Sequence, residues 1–168
     1  MMKILPPRPL RILILSLLIV AAIIVAVVLL TQGGDEGEPV IANIPCERGE
    51  RLEYHVHAHL TVFVEALKVE ISAGIGVART CHYWLHTHDA TGNVHVEAPS
   101  QGDFTLRQFF AIWGQPLSST ALLDRQSDGQ HEIRAFVNGE PFQGDPADIP
   151  LRDNAVIVIA YGPPFPVP

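Results

Sequence analysis

The histidines of this sequence are the residues whose type and spacing could do chemistry. The 168-residue chain contains eight of them, and seven lie between residues 55 and 95. Side chains two positions apart on a β-strand share a face, so the H-x-H pairs in YHVHAHL and WLHTHD each present neighbouring imidazoles. NVHVEA adds an imidazole and a carboxylate at the same spacing. Imidazoles about 6.7 Å apart along a strand can converge on one metal ion.

The predicted metal ligands are the histidines and the glutamate that these spacings place on shared strand faces. They are His57, His59, His86, His88, His95 and Glu97, with His55 and His82 as less favoured candidates. Three histidines in a row span about 13 Å, which is too far for a single ion on a straight strand. The pattern therefore allows one or two metal ions. The alternatives to a metal site are a pH sensor and ordinary surface histidines.

A continuous apolar block covers residues 12–30, and only Ser16 interrupts it. A helix of this length would span about 28 Å, close to the hydrocarbon thickness of a bilayer. Lys3, Arg8 and Arg11 precede the block, so the positive-inside rule predicts a cytoplasmic N-terminus. The sequence thus predicts a single-pass cell-membrane protein with an extracytoplasmic domain and the lipid bilayer as a partner. A cleaved signal peptide is the alternative, and it would also export the domain.

The chain after the apolar block is acidic, with 8 Lys or Arg against 18 Asp or Glu. Nucleic acid is excluded as a partner, because binding it needs a basic surface. The two cysteines, Cys46 and Cys81, are predicted to form a disulfide, which an exported compartment permits. Metal ligation by one or both thiols is the alternative, since Cys81 stands next to His82.

Composition divides the chain into five segments. Residues 1–11 form a basic cytoplasmic tail, and residues 12–30 form the transmembrane anchor. Residues 31–43 are rich in glycine and acidic residues, which predicts a flexible linker. Residues 44–162 form the histidine-rich metal-binding domain, and residues 163–168 form a proline-rich tail.

The domain combines predicted strands with one strong helix. We predict strands over 53–65, 69–72, 82–88, 93–98, 132–138 and 154–161, a turn over 89–92, and a second short helix over 118–125. Thr105 and Gln108 form a capping box for a helix over residues 104–114, which Gly114 and Pro116 end. This order predicts an α+β fold, with a mixed β-sheet and one principal helix packed on one face, preceded by a single transmembrane helix.

Two parts of the sequence resemble known families. VNGEPFQGDPADIPLRDNAVIVIAYG, residues 137–162, resembles the closing half of a β-grasp domain, which implies a β-grasp-like fold only. Residues 46–160 resemble a family of small exported or membrane-anchored prokaryotic domains. The shared pattern is H-x-H-x-x-L, then W-L-H-T-H-D-x-x-G-x-x-H-x-E, then F-T-L-x-x-F-F-x-x-W. The sequence departs from it at Ala66 and Leu67, where Asp-Gly or Asn-Gly is expected. The resemblance implies that the histidines are the family signature, and it implies no reaction.

The sequence favours a metal-binding protein that buffers, delivers or senses its ion, with a membrane protein or a metal-delivery protein as partner. Imidazole with an optional carboxylate suits Cu(II), Zn(II) and Ni(II), and we place copper ahead of zinc. Met1 and Met2 both precede the apolar block, which disfavours a thioether site for Cu(I). An enzyme is the first alternative, with an open position on a His-ligated Zn or Cu ion and Glu97 or Asp89 as general base. The second alternative is an accessory or structural subunit of a membrane complex.

Overall fold

The computed structural model describes residues 8–31 and 39–166, and within the first stretch it describes the side chains of residues 12–27. The chain divides into two compact units, Met1–Gly37 and Glu38–Pro168. Most of the predicted basic tail and most of the predicted linker lie outside the described residues, as do the last two residues of the predicted proline-rich tail.

The first unit contains helix α1, which covers Arg8–Thr31. A helix that crosses a bilayer needs about 20 consecutive apolar residues. Among the residues that the structure describes, no helix is long and apolar enough to cross a membrane. This finding contradicts the predicted transmembrane anchor over residues 12–30. The predicted single-pass cell-membrane location rested on this anchor and is contradicted with it.

Short strands dominate the second unit, and within residues 39–166 a single α-helix accompanies them. The strands are β1 (Val40–Ile41), β2 (Ile44–Glu47), β3 (Tyr54–Val64), β4 (Leu67–Val69), β5 (His82–Tyr83), β6 (Leu85–His86), β7 (Asn93–Ala98), β8 (Ala121–Leu122), β9 (Arg125–Gln126), β10 (Glu132–Val137), β11 (Glu140–Pro141) and β12 (Ala155–Gly162). Helix α2 covers Leu106–Trp113, and a 3-10 turn covers Pro146–Asp148. These elements make up an α+β fold, as predicted. Strand β1 lies inside the segment predicted as a linker, where it pairs with β2.

A mixed sheet of seven strands forms the centre of this unit, in the order β11–β10–β12–β3–β7–β6, with β4 also paired to β3. Strands β3 and β12 run parallel, with Ala58 opposite Ala155. The other pairings in this sheet are antiparallel. Most residues of β12 are buried, which agrees with its near-continuous apolar sequence and its central position.

One face of the sheet packs against α2 in a single hydrophobic core. Alternate residues of β3 are buried there, together with Phe109 and Phe110 of the helix. The helix begins with the predicted capping box between Thr105 and Gln108, and it ends at Gly114. The histidines of β3 alternate with its buried residues, so they lie on the opposite face of the sheet.

The first hairpin turns one residue earlier than predicted. Glu65 and Ala66 form the turn, with positive φ angles of 51° and 64°. Positive φ at both central residues is typical of a type I′ turn, whose twist matches that of the flanking strands. The return strand therefore starts at Leu67, opposite Val64, and not at Val69.

The predicted second short helix over residues 118–125 is wrong. This segment forms the hairpin of β8 and β9, with Leu122 opposite Arg125. The hydroxyl of Ser118 accepts hydrogen bonds from the backbone N–H groups of Thr120 and Ala121. Such local side-chain bonds offer the backbone an alternative to helical pairing.

Candidate metal centre

Three neighbouring strands bring the histidines together on the face of the sheet opposite α2. The register of β3 and β7 pairs His57 with His95 and His55 with Glu97. The register of β6 and β7 pairs His86 with the same His95. Directly paired residues share a face, with Cβ atoms about 5 Å apart. His57, His95 and His86 therefore form a row across the three strands. Beside it, His55 and Glu97 form a second row.

Four side chains on this face form a compact set of donor atoms, which we call the inner group. It consists of His86, His88, His95 and Glu97, each offering one ligand atom within 4.8 Å of the others. Nε2 of His86 lies 3.2 Å from Nε2 of His88 and 3.8 Å from Oε1 of Glu97. Nδ1 of His95 lies 3.5 Å from that oxygen. Donors held tetrahedrally about 2.0 Å from one ion are about 3.3 Å apart, so the inner group could hold a metal ion.

The inner group is buried at one end and open at the other. His86 is 1% exposed and Glu97 is 3% exposed. The side chain of His95 is 17% exposed, and that of His88 is 44% exposed. Glu50 lies on the open side, with its Oε1 3.9 Å from Nε2 of His88. An ion could therefore enter past His88 and be shielded from solvent by the other three side chains.

A backbone carbonyl sets the tautomer of His86. Nδ1 of its ring lies 2.9 Å from the carbonyl oxygen of Tyr83. A carbonyl can only accept, so Nδ1–H is the donor, and in the neutral ring Nε2 carries the lone pair. That nitrogen faces His88 and Glu97. A ring held through its second nitrogen in this way is the usual arrangement of a metal-binding histidine.

Thr87 anchors the segment that carries His86 and His88 of the inner group. Its hydroxyl donates to the carbonyl of Ser72 at 2.8 Å and accepts from the backbone N–H of Ile75 at 3.1 Å. Its backbone N–H donates to the carbonyl of Ile75 at 3.0 Å. Neighbouring side chains of an extended segment point to opposite sides. With Thr87 held on one side, His86 and His88 are directed to the other.

The loop that holds Thr87 needs a glycine at position 76. Gly76 has a φ of 76°, and a Cβ there would lie 2.4 Å from the carbonyl oxygen of Leu85 and 3.0 Å from Cβ of His86. Its carbonyl accepts a hydrogen bond from the backbone N–H of Tyr83 at 2.8 Å. Glycine alone combines this backbone conformation with so close an approach. The loop can therefore pack directly on the strand that presents His86.

Burial keeps imidazoles of the inner group neutral. Burial lowers the pKa of His86 to about 4; the hydrogen bond to Tyr83 opposes this shift and repulsion from His88 adds to it. Burial also lowers the pKa of His95 to about 4, and repulsion from His57 adds to this shift. Neutral imidazole is the form that binds a metal ion.

The carboxyl group of Glu97 lies among these rings without a full set of partners. Burial raises its pKa, the charge of Glu50 adds to this, and neighbouring histidines oppose it. Within the described residues, Oε2 of Glu97 and Nδ1 of His95 are buried and have no hydrogen-bond partner. Such atoms are rare in proteins, and a bound ion is one of the few arrangements that satisfy them.

His55 and His57 combine with His95 in a second set of donor atoms, which we call the outer group. Its three ligand atoms also lie within 4.8 Å of one another. The ring centroids of His55 and His57 are 4.5 Å apart, and both residues are exposed. Nε2 of His55 lies 3.3 Å from Oε1 of Glu97. The inner and outer groups therefore share His95 and adjoin at Glu97.

Two predicted histidine ligands lie outside both groups. Nδ1 of His59 lies 3.1 Å from Oδ1 of Asn93, its partner across β3 and β7. The ring of His82 lies 6.0 Å from the ring of His86. Nδ1 of His82 is buried and has no hydrogen-bond partner among the described residues.

Asp89 and the cysteines have other roles. Asp89 accepts hydrogen bonds from the backbone N–H and the hydroxyl of Thr91, which makes it the first residue of the predicted turn. It belongs to neither group among the described residues. Cys46 and Cys81 form the predicted disulfide, so neither sulfur remains as a thiolate ligand.

Two parts of the site carry no clear signal in the sequence. Glu50 lies in an irregular segment before β3, with no regular spacing to the histidines. The contact between the carbonyl of Tyr83 and His86 involves a backbone atom, which every residue type possesses. Only the bend at Trp84, between β5 and β6, brings that carbonyl to the ring.

Comparison of this chain with protein-family models, curated proteins and solved structures finds no match. The resemblance of residues 46–160 to a family of small exported domains stays a prediction, as does the β-grasp likeness. The chemistry of the inner group is therefore the basis for assigning a function.

Proposed function

We propose that this protein binds a transition-metal ion through the inner group, with Cu(II) preferred and Zn(II) next, and that it buffers, delivers or senses this ion. The observation that carries the proposal is the convergence of three imidazoles and one carboxylate within 4.8 Å of one another. The tautomer of His86 supports it, because the nitrogen that faces the other donors carries a lone pair.

Burial favours metal binding over a pH-sensing role. A histidine that switches its charge in the physiological range needs a pKa close to its ordinary value of about 6.5. The pKa values of His86 and His95 are lowered to about 4. Both rings therefore stay neutral at pH 7 and keep their lone pairs available for a metal ion.

The types of donor atom favour copper and zinc. Three nitrogens and one carboxylate suit Cu(II) and Zn(II), whereas Ca²⁺ and Mg²⁺ prefer sites built from oxygen. Cu(II) binds a given nitrogen and oxygen set more tightly than Zn(II) in the Irving–Williams order. Cys46 and Cys81 form a disulfide and therefore supply no thiolate. Thiolate is a ligand type that would favour Cu(I).

The position of Glu97 favours metal binding over catalysis. A general base must reach the proton of a substrate within hydrogen-bonding distance. Glu97 is 3% exposed, and its Oε1 faces the imidazoles of both groups, which is the position of a ligand. His88 is the most exposed member of the inner group, so a partner or a chelator could take the ion from that side.

The test is the metal content of the full chain, produced without an affinity tag under oxidising conditions. After exposure to Cu(II) or Zn(II) and dialysis, elemental mass spectrometry should find at least one ion per chain. Electron paramagnetic resonance of the copper form should show hyperfine splitting from nitrogen ligands. The control is His131→Ala, because His131 contacts Asp128 outside both groups and its loss should leave metal content unchanged. A folded chain that retains no copper, zinc or nickel would overturn the proposal.

A further inference from the structure

The outer group has the donor types of a metal site and shares only His95 with the inner group. We propose that His55, His57 and His95 bind a second divalent transition-metal ion, so that the loaded protein holds two ions, with His95 and Glu97 between them. This inference rests on the proposed function of the inner group, because the second ion would share His95 with the first.

One ion cannot take all of these donors. Within the described residues, no set of ligand atoms inside 4.8 Å contains the histidines of both groups. His57 and His86 lie on opposite sides of β7, so their backbones are two strand spacings apart, about 10 Å. Zn(II) normally takes four ligands, and five imidazoles with a carboxylate exceed that number. Two ions divide the donors between them.

Glu97 is placed to face both ions. Its Oε1 lies 3.3 Å from Nε2 of His55 in the outer group and 3.8 Å from Nε2 of His86 in the inner group. Its Oε2 has no hydrogen-bond partner among the described residues. A carboxylate has two oxygens and can offer one to each ion. A carboxylate that offers one oxygen to each ion can link paired ions.

His95 also lies between the two groups. Its ring centroid is 4.4 Å from that of His57 and 5.4 Å from that of His86. An imidazole has two nitrogens, and a metal ion can bind through either of them. When both nitrogens bind ions, the ring N–H proton is released to solvent. The positive charge of the two ions stabilises the anionic ring and the carboxylate of Glu97.

The two ions differ in access to solvent. The side chain of His55 is 35% exposed, and His57 is exposed as well, whereas His86 is 1% exposed. The outer ion therefore binds more weakly and exchanges faster than the inner ion.

The experiment is a titration of the metal-free full chain with Zn(II), followed by calorimetry and elemental analysis. The wild-type chain should bind two ions, the second about 10-fold or more weaker than the first. The double variant His55→Ala/His57→Ala should bind one ion with the first affinity unchanged. Both residues are exposed, so their removal leaves no buried cavity, and circular dichroism checks the fold.

Copper gives an independent measurement. Two Cu(II) ions a few ångströms apart interact magnetically, so the resonance of the fully loaded wild type should be weaker per copper than that of the double variant. His59→Ala is the matched control, because His59 lies on the same face of β3 and in neither group. It should keep both ions and the magnetic interaction.

The outcomes separate the two proposals. A wild-type chain that saturates at one ion, or a double variant that still binds two, would contradict the proposal of a second ion in the outer group. Neither result would contradict the proposal that the inner group binds an ion. A wild-type chain that binds no ion would overturn both the inner site and the outer site.

Discussion

Nδ1 of His86 donates a hydrogen bond to the carbonyl oxygen of Tyr83 over 2.9 Å. The backbone bends at Trp84 between these two residues, and the bend points the carbonyl back at the ring. The most buried histidine of the inner group is thereby oriented by the backbone of the preceding strand, β5. Its Nε2 faces Nε2 of His88 and Oε1 of Glu97.

The first prediction concerns this tautomer. In the metal-free protein at neutral pH, ¹⁵N NMR of the histidines should show one ring with a protonated Nδ1 and an unprotonated Nε2, because the carbonyl of Tyr83 needs a donor. Zn(II) should shift the Nε2 resonance of that ring. His86→Leu assigns the signal. An Nε2–H tautomer that persists in the zinc-bound protein would contradict a ligand role for Nε2.

The second prediction concerns His88, the exposed ligand. His88→Ala should weaken metal binding by about 100-fold or more, which is at least the effect of removing a residue that supports a ligand. Its side chain is 44% exposed, so the thermal stability of the metal-free chain should change little. Competition with a chelator of known affinity measures the loss. His59→Ala on β3 serves as the control, and an equal loss in both variants would argue against a specific site.

The third prediction concerns the anchor at Thr87. Thr87→Val leaves the carbonyl of Ser72 and the N–H of Ile75 without their partner and should cost about 1–3 kcal/mol of unfolding free energy. It should also weaken metal binding, because the segment with His86 and His88 loses its support. Thr87→Ser keeps the hydroxyl and should keep the affinity. Denaturant unfolding and metal competition measure the two effects, and equal behaviour of the two variants would refute the anchor.

The fourth prediction concerns the disulfide. Cys46 and Cys81 are 35 positions apart, so opening their link should cost about 4 kcal/mol in the chain-entropy model. The double variant Cys46→Ser/Cys81→Ser should melt at a lower temperature than the wild type and should not respond to reductant. Reduced wild-type protein should behave like the variant. Equal melting of the oxidised and reduced wild type would show that the link adds no stability.

The fifth prediction concerns pH. His86 and His95 have a folded-state pKa of about 4, below the unfolded value of 6.5. Protons therefore bind the unfolded chain more tightly, and the stability that these residues contribute is complete above pH 6.5 and is lost as the pH falls towards 4. Glu97 has a raised pKa and offsets part of this loss.

Melting temperatures of the metal-free chain across this pH range measure the effect. His86→Leu removes one of the titrating groups from its buried position. The pH dependence of its stability should therefore be smaller than that of the wild type. An unchanged pH dependence in this variant would show that His86 is not the group responsible.

Local sequence patterns predicted a strand that carries the site and the helix that packs on the other face of the sheet. The alternation of residues 53–65 predicted β3, and the capping box at Thr105 and Gln108 predicted the start of α2. These patterns succeed because strand alternation and helix capping depend on residues a few positions apart. The H-x-H spacing likewise predicted that His86 and His88 would converge.

Register between strands could not be predicted in this way. His55, His57 and His59 follow the same spacing, yet β3 places His57 opposite His95 and His59 opposite Asn93. This choice depends on how β3, β7 and β12 fit together, which no short pattern contains. His55 thus belongs to the outer group and His59 to neither group, which is the reverse of the predicted preference.

All four members of the inner group lie between residues 86 and 97. A loop this short costs little chain entropy to close, so an ion can cross-link it before the rest of the sheet is in place. The outer group also needs residues 55 and 57 of β3, and it is complete only once β3 has paired with β7. Occupancy of the inner group by an ion would thus report the closure of one hairpin, and occupancy of the outer group would report assembly of the sheet around it.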